Sequence, residues 1–335
     1  MRHFVISASA SAALVCALAT ASTLSSAGEL TLRLGIQPEL PSLPVIIAAE
    51  RGFLVARAKE VGLAQVRVTL QRLSGAAAVN DALIAGSIDA SVLGATALLG
   101  TWDRTRNGEK VRALLPLTTL DVTLFTNRAE IRSLADFREP DRIAVPAKAS
   151  PQAIILRMAA EKLAPEKRTE LERLLVIMPH PEANEALLSG KVAGYVASQP
   201  GAGLLARNGK VHALITSKDV LGGEVVTGAV MAAAGAFVDG NPAAARAIVA
   251  AIEDAIAFIR SNPSEAADIY VRSQASNVAG ADILAQITDG SMVYSTAPSG
   301  FERFAHFMAK AGLIANEPAS WKDVFFPLLH DRSGS

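Results

Sequence analysis

The chain has 335 residues, of which 50% are hydrophobic and 5% aromatic, and its 32 basic and 32 acidic side chains give a net charge of zero. A chain with neither a basic tract nor an aromatic platform is a poor candidate for binding nucleic acid. Its single cysteine, Cys16, lies in the N-terminal segment, so residues 28–335 have no disulfide and no thiolate chemistry. This length allows a large core, or two lobes of ordinary domain size.

The first 27 residues have the pattern of a secretory signal peptide. Arg2 precedes an apolar stretch, and small residues at 25–27 (SSA) occupy the positions that a signal peptidase reads. We predict cleavage after Ala27 and a periplasmic monomer. A transmembrane anchor is the alternative, but the apolar stretch is short and interrupted by Ser and Thr. Lipidation is not expected, because Val15 stands before Cys16 where a lipobox needs a small residue.

Predicted strands and helices alternate in the first part of the chain. The strands are 30–37, 66–72, 88–93 and 111–117, and the helices are 44–50 and 75–85. Gly52 and Gly86 close these helices, as glycine commonly does in the left-handed cap that follows a helix. The alternation predicts a parallel, doubly wound α/β sheet.

The same alternation restarts at residue 121. Strands are predicted over 121–126, 142–145, 174–178, 193–197 and 211–216, and helical segments over 134–137, 151–163 and 181–188. The segment 225–234 returns to the first unit, and helices follow at 243–261, 264–272, 281–287 and 300–311. A second unit inserted into the first needs two chain crossings. We therefore predict lobe one from residues 28–120 and 226–330, lobe two from 121–225, a tail at 331–335, and a cleft between the lobes.

Polar residues follow several predicted strands, and open α/β sheets bind ligands at the carboxyl ends of their strands. Ser42, Ser74 and Ser150 also precede predicted helices, where serine is a preferred N-cap and Pro151 suits the first helical position. Helix N-termini offer N–H groups and partial positive charge, which suit a polar or anionic ligand. The candidate ligand-binding residues are Gln37, Ser42, Ser74, Gly75, Gly94, Thr96, Lys148, Ser150, Gln152 and Ser198.

The charge of the ligand is predicted from these loops. Lys148 is the only cation among them, which favours an anion. Glu39, near the first loop, would repel an anion if it faced inward. The sequence therefore leaves sulfonate, nitrate, carboxylate and pyrimidine ligands open, with a preference for an anion.

No catalytic, cofactor or metal-binding constellation stands out in the sequence. His180, His212, His306 and His330 are each more than four residues from the next histidine, and no P-loop or dinucleotide fingerprint occurs. We therefore predict no catalytic residue, no metal and no cofactor. A binding receptor is favoured over an enzyme.

Four short stretches, in order, carry a family pattern. They are 46–53 (IIAAERGF), 82–90 (ALIAGSIDA), 131–146 with its IRSLADF and RIAVP segments, and 186–195, which repeats the second stretch. Together they resemble the periplasmic solute-binding proteins of ABC importers. The likeness is to the nitrate/sulfonate/taurine-type group, whose fold is shared with thiamine-pyrimidine-precursor proteins. Residues 138–141 (REPD) depart from the family's Lys-Gly-Lys turn.

The resemblance implies a two-lobed receptor that closes on a small sulfonate-, nitrate- or taurine-like solute. It also implies delivery of that solute to an importer permease in the inner membrane. The alternative is an enzyme on the same fold, similar to thiamine-pyrimidine synthases or menaquinone-pathway dehydratases. The synthases depend on Cys- and His-bearing segments that residues 28–335 lack.

Overall fold

The computed structural model describes residue 1 and residues 29–273, 278–290 and 292–335. The predicted cleavage site after Ala27 lies outside the described residues. Within the part that is described, no helix is both long and apolar enough to cross a membrane.

Ten strands in the described residues form two five-stranded sheets. They are β1 (Leu30–Ile36), β2 (Val66–Arg72), β3 (Ala90–Gly94), β4 (Arg112–Thr119), β5 (Val122–Thr126), β6 (Ile143–Val145), β7 (Leu175–Ile177), β8 (Gly194–Ser198), β9 (His212–Thr216) and β10 (Thr227–Ala233). The first sheet has the order β2-β1-β3-β10-β4, and the second has the order β7-β6-β8-β5-β9. The predicted α/β class, with two sheets joined by two chain crossings, is confirmed.

The two sheets are mixed rather than wholly parallel, which corrects the sequence-based prediction. In the first sheet β10 runs antiparallel to β3 and β4, and in the second β5 runs antiparallel to β8 and β9. Both exceptions are the first strand after a crossing. The chain enters each sheet at the edge where the parallel strands end, so its first strand there must run the opposite way.

Fourteen helices are present in the described segments. They are α1 (Leu43–Glu50), α2 (Phe53–Glu60), α3 (Ala76–Ile84), α4 (Ala95–Thr105), α5 (Pro151–Leu163), α6 (Arg168–Leu174), α7 (His180–Leu188), α8 (Gly201–Ala206), α9 (Ser217–Leu221), α10 (Gly235–Gly240), α11 (Pro242–Ser261), α12 (Pro263–Ser273), α13 (Gly280–Thr288) and α14 (Phe301–Lys310). Helix α4 was not predicted from the sequence. It begins at Ala95, directly after β3 ends at Gly94, so no turn residues mark the boundary between strand and helix in the sequence.

The two crossings lie side by side between the sheets. The first joins β4 to β5 and the second leads into β10, and the Leu120 N–H donates to the Val226 carbonyl at 2.8 Å. Gly228, just inside β10, approaches the first crossing closely: a Cβ there would lie 2.7 Å from the Thr119 carbonyl oxygen. The backbone pairing shifts register at this point. The crossings therefore form one hydrogen-bonded connection between the two sheets.

The C-terminal residues 331–335 pack onto the first-sheet half of the molecule. The Phe301 N–H donates to the Ser335 carbonyl at 2.9 Å, and Arg332 forms an ion pair with Glu253 at 2.7 Å. The predicted tail is thus held against the start of α14 and against α11.

Candidate functional site

A cavity of about 380 Å³ lies between the two sheets and is lined by residues from both. Its walls include residues at or just after the ends of β1, β2, β3, β6 and β8, so it opens where these strands end. Small-molecule sites typically measure about 300–1,000 Å³ and form at such strand ends. The cavity is therefore of the size and position expected for a small ligand.

Most of the sequence-predicted site residues line this cavity. They are Gln37, Ser74, Gly75, Gly94, Ser150, Gln152 and Ser198. Ser150 also caps α5 as predicted, because its Oγ accepts a hydrogen bond from the Ala153 N–H at 3.2 Å. The rule that ligands bind at strand ends thus locates this cavity from the sequence.

Ser42 and Thr96 lie outside the cavity lining, which corrects their prediction as ligand-binding residues. Ser42 is fully buried and accepts a hydrogen bond from the Gln37 N–H at 3.0 Å, so it supports the loop after β1. Thr96 is also fully buried, and its Oγ1 donates to the Ala149 carbonyl at 2.8 Å. Because Thr96 belongs to the first half and Ala149 to the second, this bond joins the two halves directly.

Lys148 does not line the cavity either, so the predicted cation is missing from it. Its side chain is exposed, and its carbonyl accepts a hydrogen bond from Arg157. None of the described residues that line the cavity is Lys or Arg. The carboxylates Glu39, Asp121 and Glu182 line it instead. The balance of charge is therefore opposite to the one predicted from the sequence.

A polar cluster that the sequence did not predict lies in the cavity wall. His180 Nδ1 is hydrogen-bonded to the Tyr195 hydroxyl, and His180 Nε2 lies 3.3 Å from Glu39 Oε1. Ser198 Oγ donates to Glu39 Oε2 at 3.5 Å. Glu39 belongs to the loop after β1, whereas His180 follows β7 and Ser198 is the last residue of β8. The Glu39 carboxylate thus links the two halves across the cavity.

The protonation of this cluster follows from burial and charge. Burial, with a smaller effect from Glu39, raises the pKa of the Tyr195 hydroxyl well above its ordinary value, so the phenol keeps its proton. Burial also raises the pKa of Glu39, but the charge of His180 and hydrogen bonds from His180 and Ser198 outweigh it, and the net pKa is lowered. A carboxylate facing the Nε2 lone pair would be repelled, so we assign a proton to Nε2. Glu39 is then an anion that accepts from His180.

Gln152 is the polar side chain in this wall that has a free atom. It is 5% exposed, and its Oε1 has no hydrogen-bond partner. Its Nε2 lies 3.3 Å from His180 Nε2. With a proton on His180 Nε2, two donors face each other there and no bond forms, so Gln152 Oε1 is a buried acceptor without a partner. Buried polar groups normally have a partner, so a ligand group is expected at this amide.

Asp121 lies at the first crossing and has the opposite shift. Burial raises the pKa of this carboxyl, against smaller lowering effects of a hydrogen bond from Gln199 and the charge of Lys218. Its position beside β5 places a third acidic group at the hinge end of the cavity.

Glu39 should make the stability of the folded protein depend on pH at the acid end. Because its pKa is lowered on folding from an ordinary value of 4.5, its contribution is present above that value and is lost as the pH falls through the lowered pKa. Asp121 acts with the opposite sign, so only a difference between variants isolates Glu39. Urea denaturation of the wild type and Glu39→Gln across the acid range should give a stability difference that shrinks below about pH 4.5. A difference that stays constant with pH would contradict this assignment.

The fold and the cavity together define a class of protein. Two α/β halves that are joined by two adjacent chain crossings, with a cavity at their strand ends, have the architecture of the periplasmic binding proteins. The solved structures with this fold include the ligand-binding component of an ABC-type import system from Staphylococcus aureus, with zinc bound. It has a TM-score of 0.69 and 16% identity, and the match covers 91% of this chain and 99% of that one.

A family model for the NMT1-like family matches residues 26–272, and the chain belongs to that family. Two further similar structures are the alkanesulfonate-binding protein SsuA from Xanthomonas axonopodis pv. citri bound to MOPS and the periplasmic nitrate-binding protein NrtA from Synechocystis PCC 6803. The first has a TM-score of 0.68 and 16% identity over 92% of this chain and 100% of that one. The second has a TM-score of 0.60 and 18% identity over 78% and 70%.

No curated protein matches the chain by sequence. These three structural neighbours are named as binding proteins or binding components, which agrees with the prediction of a receptor rather than an enzyme.

Proposed function

We propose that this protein is the extracytoplasmic solute-binding component of an ABC importer, which closes two lobes on a small polar solute and delivers it to a permease. Lobe one comprises residues 28–120 and 226–330, and lobe two comprises 121–225. The strands of the first sheet fall within the first set of residues and those of the second sheet within the other, which supports these bounds. Cleavage after Ala27, a periplasmic location and a monomeric state belong to the same proposal.

The observation that carries the proposal is a single cavity built from both lobes. Glu39 and Gly94 line it from lobe one, and Ser150, His180 and Ser198 line it from lobe two. A ligand that contacts both walls binds the closed arrangement better than an open one and therefore shifts the population towards closure. In such a hinge motion, the chain would bend at the two crossings between the sheets.

The class of solute needs a separate argument. The SsuA and NrtA neighbours bind an alkanesulfonate and nitrate by their names, and the sequence favours an anion. The cavity has three carboxylates and, among the described lining residues, neither Lys nor Arg. Because like charges repel more strongly in a partly buried site, a simple anion such as nitrate is not the solute that this cavity favours. We therefore propose the importer role, but we do not propose that the solute is an anion.

The importer role is tested by recovering the solute and observing closure. Native mass spectrometry of the protein purified from its own periplasm should detect a bound small molecule. Adding that molecule back to stripped protein should lower the radius of gyration in small-angle X-ray scattering. The role would be contradicted if no molecule is recovered and no fraction of the periplasmic extract makes the protein more compact.

A further inference from the structure

The charged groups around the cavity indicate what kind of head group it accepts. Glu39 is the innermost of them: its side chain is 22% exposed and its lowered pKa keeps it ionised at neutral pH. Its partner His180 leaves part of its capacity free, since a carboxylate has about four acceptor positions. Glu39 therefore presents negative charge and hydrogen-bond acceptors to the cavity.

Gln152 adds a second acceptor beside Glu39. The Oε1 atom of Gln152 has no partner, and the Nε2 atom of the same amide lies 3.3 Å from His180 Nε2. Glu39 Oε1 also lies 3.3 Å from His180 Nε2. The two side chains that carry these acceptors both contact the His180 imidazole, so they lie on the same part of the cavity wall. A head group bound there must donate hydrogen bonds, because both acceptors need a donor and the protein supplies none to Gln152 Oε1.

Helix N-termini at the cavity carry partial positive charge, which opposes the negative charge of the carboxylates, so the two contributions must be compared. The starts of α3, α4 and α5 line the cavity, and each helix contributes about half a positive charge at its N-terminus. Glu182 lies in the first turn of α7 and offsets the positive end of that helix. With Glu182 set against α7, the carboxylates of Glu39 and Asp121 remain, and their two charges exceed the partial charges of the other helix ends. The free N–H groups of α3 suit a carbonyl or hydroxyl at another part of the solute.

Much of the rest of the wall is apolar, with several prolines that restrict the backbone. It includes prolines 38, 41, 146, 151, 179 and 181, together with Val92, Leu120, Val122 and Met292. Proline has a fixed φ and no N–H, so these positions offer hydrocarbon surface and few hydrogen bonds. The wall therefore suits a solute with an apolar body.

We propose that the cavity selects a small organic solute whose head group is a positively charged nitrogen that donates hydrogen bonds to Glu39 and Gln152, with an apolar body against the prolines. Glu39 is the residue that sets this specificity. The proposal rests on the solute-binding function proposed above and deepens it. It separates this chain from a receptor for a simple sulfonate or nitrate.

Three probes with the same benzyl body and different head groups test the proposal: benzylammonium, phenylmethanesulfonate and benzyl alcohol. Binding is followed by the NMR signal of the Met292 methyl group, which lines the cavity. We expect benzylammonium to shift this signal and to bind about tenfold or more tightly than phenylmethanesulfonate, because hydrogen bonds to a charged group are the stronger ones. Added salt should weaken the binding of benzylammonium to the wild type.

Two charge-matched variants locate the preference. Glu39→Gln should reduce the preference for benzylammonium over benzyl alcohol about tenfold. Glu185→Gln removes the same charge from an exposed position of α7 outside the cavity and should leave it unchanged. Thermal unfolding checks that both variants are folded. If Glu39→Gln does not fold, the salt titration of the wild type still tests whether the bound head group is charged.

The outcomes separate this proposal from the importer role. Tighter binding of phenylmethanesulfonate, no Met292 shift with benzylammonium, or a preference that survives Glu39→Gln would each overturn the nitrogen head group. A sulfonate that binds at Met292 leaves the receptor role intact. Only the solute-recovery and scattering experiments described above can contradict that role.

Discussion

Gly94→Ala should hold the two lobes apart and weaken solute binding by about tenfold or more while the protein remains folded. A Cβ at Gly94 would lie 2.7 Å from Pro151 Cδ and 2.9 Å from Pro151 Cγ, closer than non-bonded carbons approach. The proline ring cannot turn away, because it is part of the backbone at the start of α5. The added methyl group is therefore accommodated by separating the lobes, which also lengthens the nearby bond from Thr96 to the Ala149 carbonyl.

Double electron–electron resonance measures this separation directly. Because residues 28–335 contain no cysteine, spin labels can be placed at Lys59→Cys in α2 and at Lys191→Cys after α7 without removing a native thiol. Gly240→Ala is the control, since no atom lies within 4 Å of a Cβ at that position. A longer distance in Gly94→Ala alone is the expected result. Equal distances in the two variants would mean that Gly94 does not limit how closely the lobes approach.

Gly228→Ala should lower the free energy of unfolding by about 1–3 kcal/mol, the usual cost of overpacking a buried site. A Cβ there would lie 2.7 Å from the Thr119 carbonyl oxygen and 2.9 Å from Leu120 Cα. Both atoms are backbone, so no side chain can move aside. The strand β10 is buried along its whole length, and the clash must be relieved by shifting one crossing away from the other.

Urea denaturation measures this loss. The matched control is Gly108→Ala, where a Cβ meets no atom within 4 Å and the backbone is not left-handed. The control should change the unfolding free energy by less than about 0.5 kcal/mol, as exposed substitutions usually do. If Gly228→Ala is as stable as the control, the crossings are not as tightly packed as described.

Much of the local structure was predictable because it depends on neighbours in the chain. The strand Val66–Arg72 and the helix Pro151–Leu163 have the predicted bounds, since alternating side chains mark one and a Ser-Pro start marks the other. The cavity residues that follow strands were also predictable, because the carboxyl ends of parallel strands meet at one edge of a sheet. The order of family motifs likewise belongs to the sequence.

The direction of a loop side chain was not predictable. Lys148 and Ser150 are two residues apart, yet Lys148 is exposed and Ser150 lines the cavity and caps α5. Ser42 stands at the N-cap position of α1, but its hydroxyl does not cap that helix and instead accepts a hydrogen bond from the Gln37 N–H. Such choices depend on which neighbouring element covers each side of the loop, and that neighbour is distant in sequence.

What the sequence by itself determined is an α/β chain of two interleaved units with polar strand ends, because secondary-structure period and capping are local properties. The tertiary structure alone decided the chemistry of the cavity. It placed Glu39 against His180 and Ser198 of the other lobe and kept Lys148 outside. The sign of a site's charge depends on which side chains from distant segments are buried together, and folding is what brings those segments into contact.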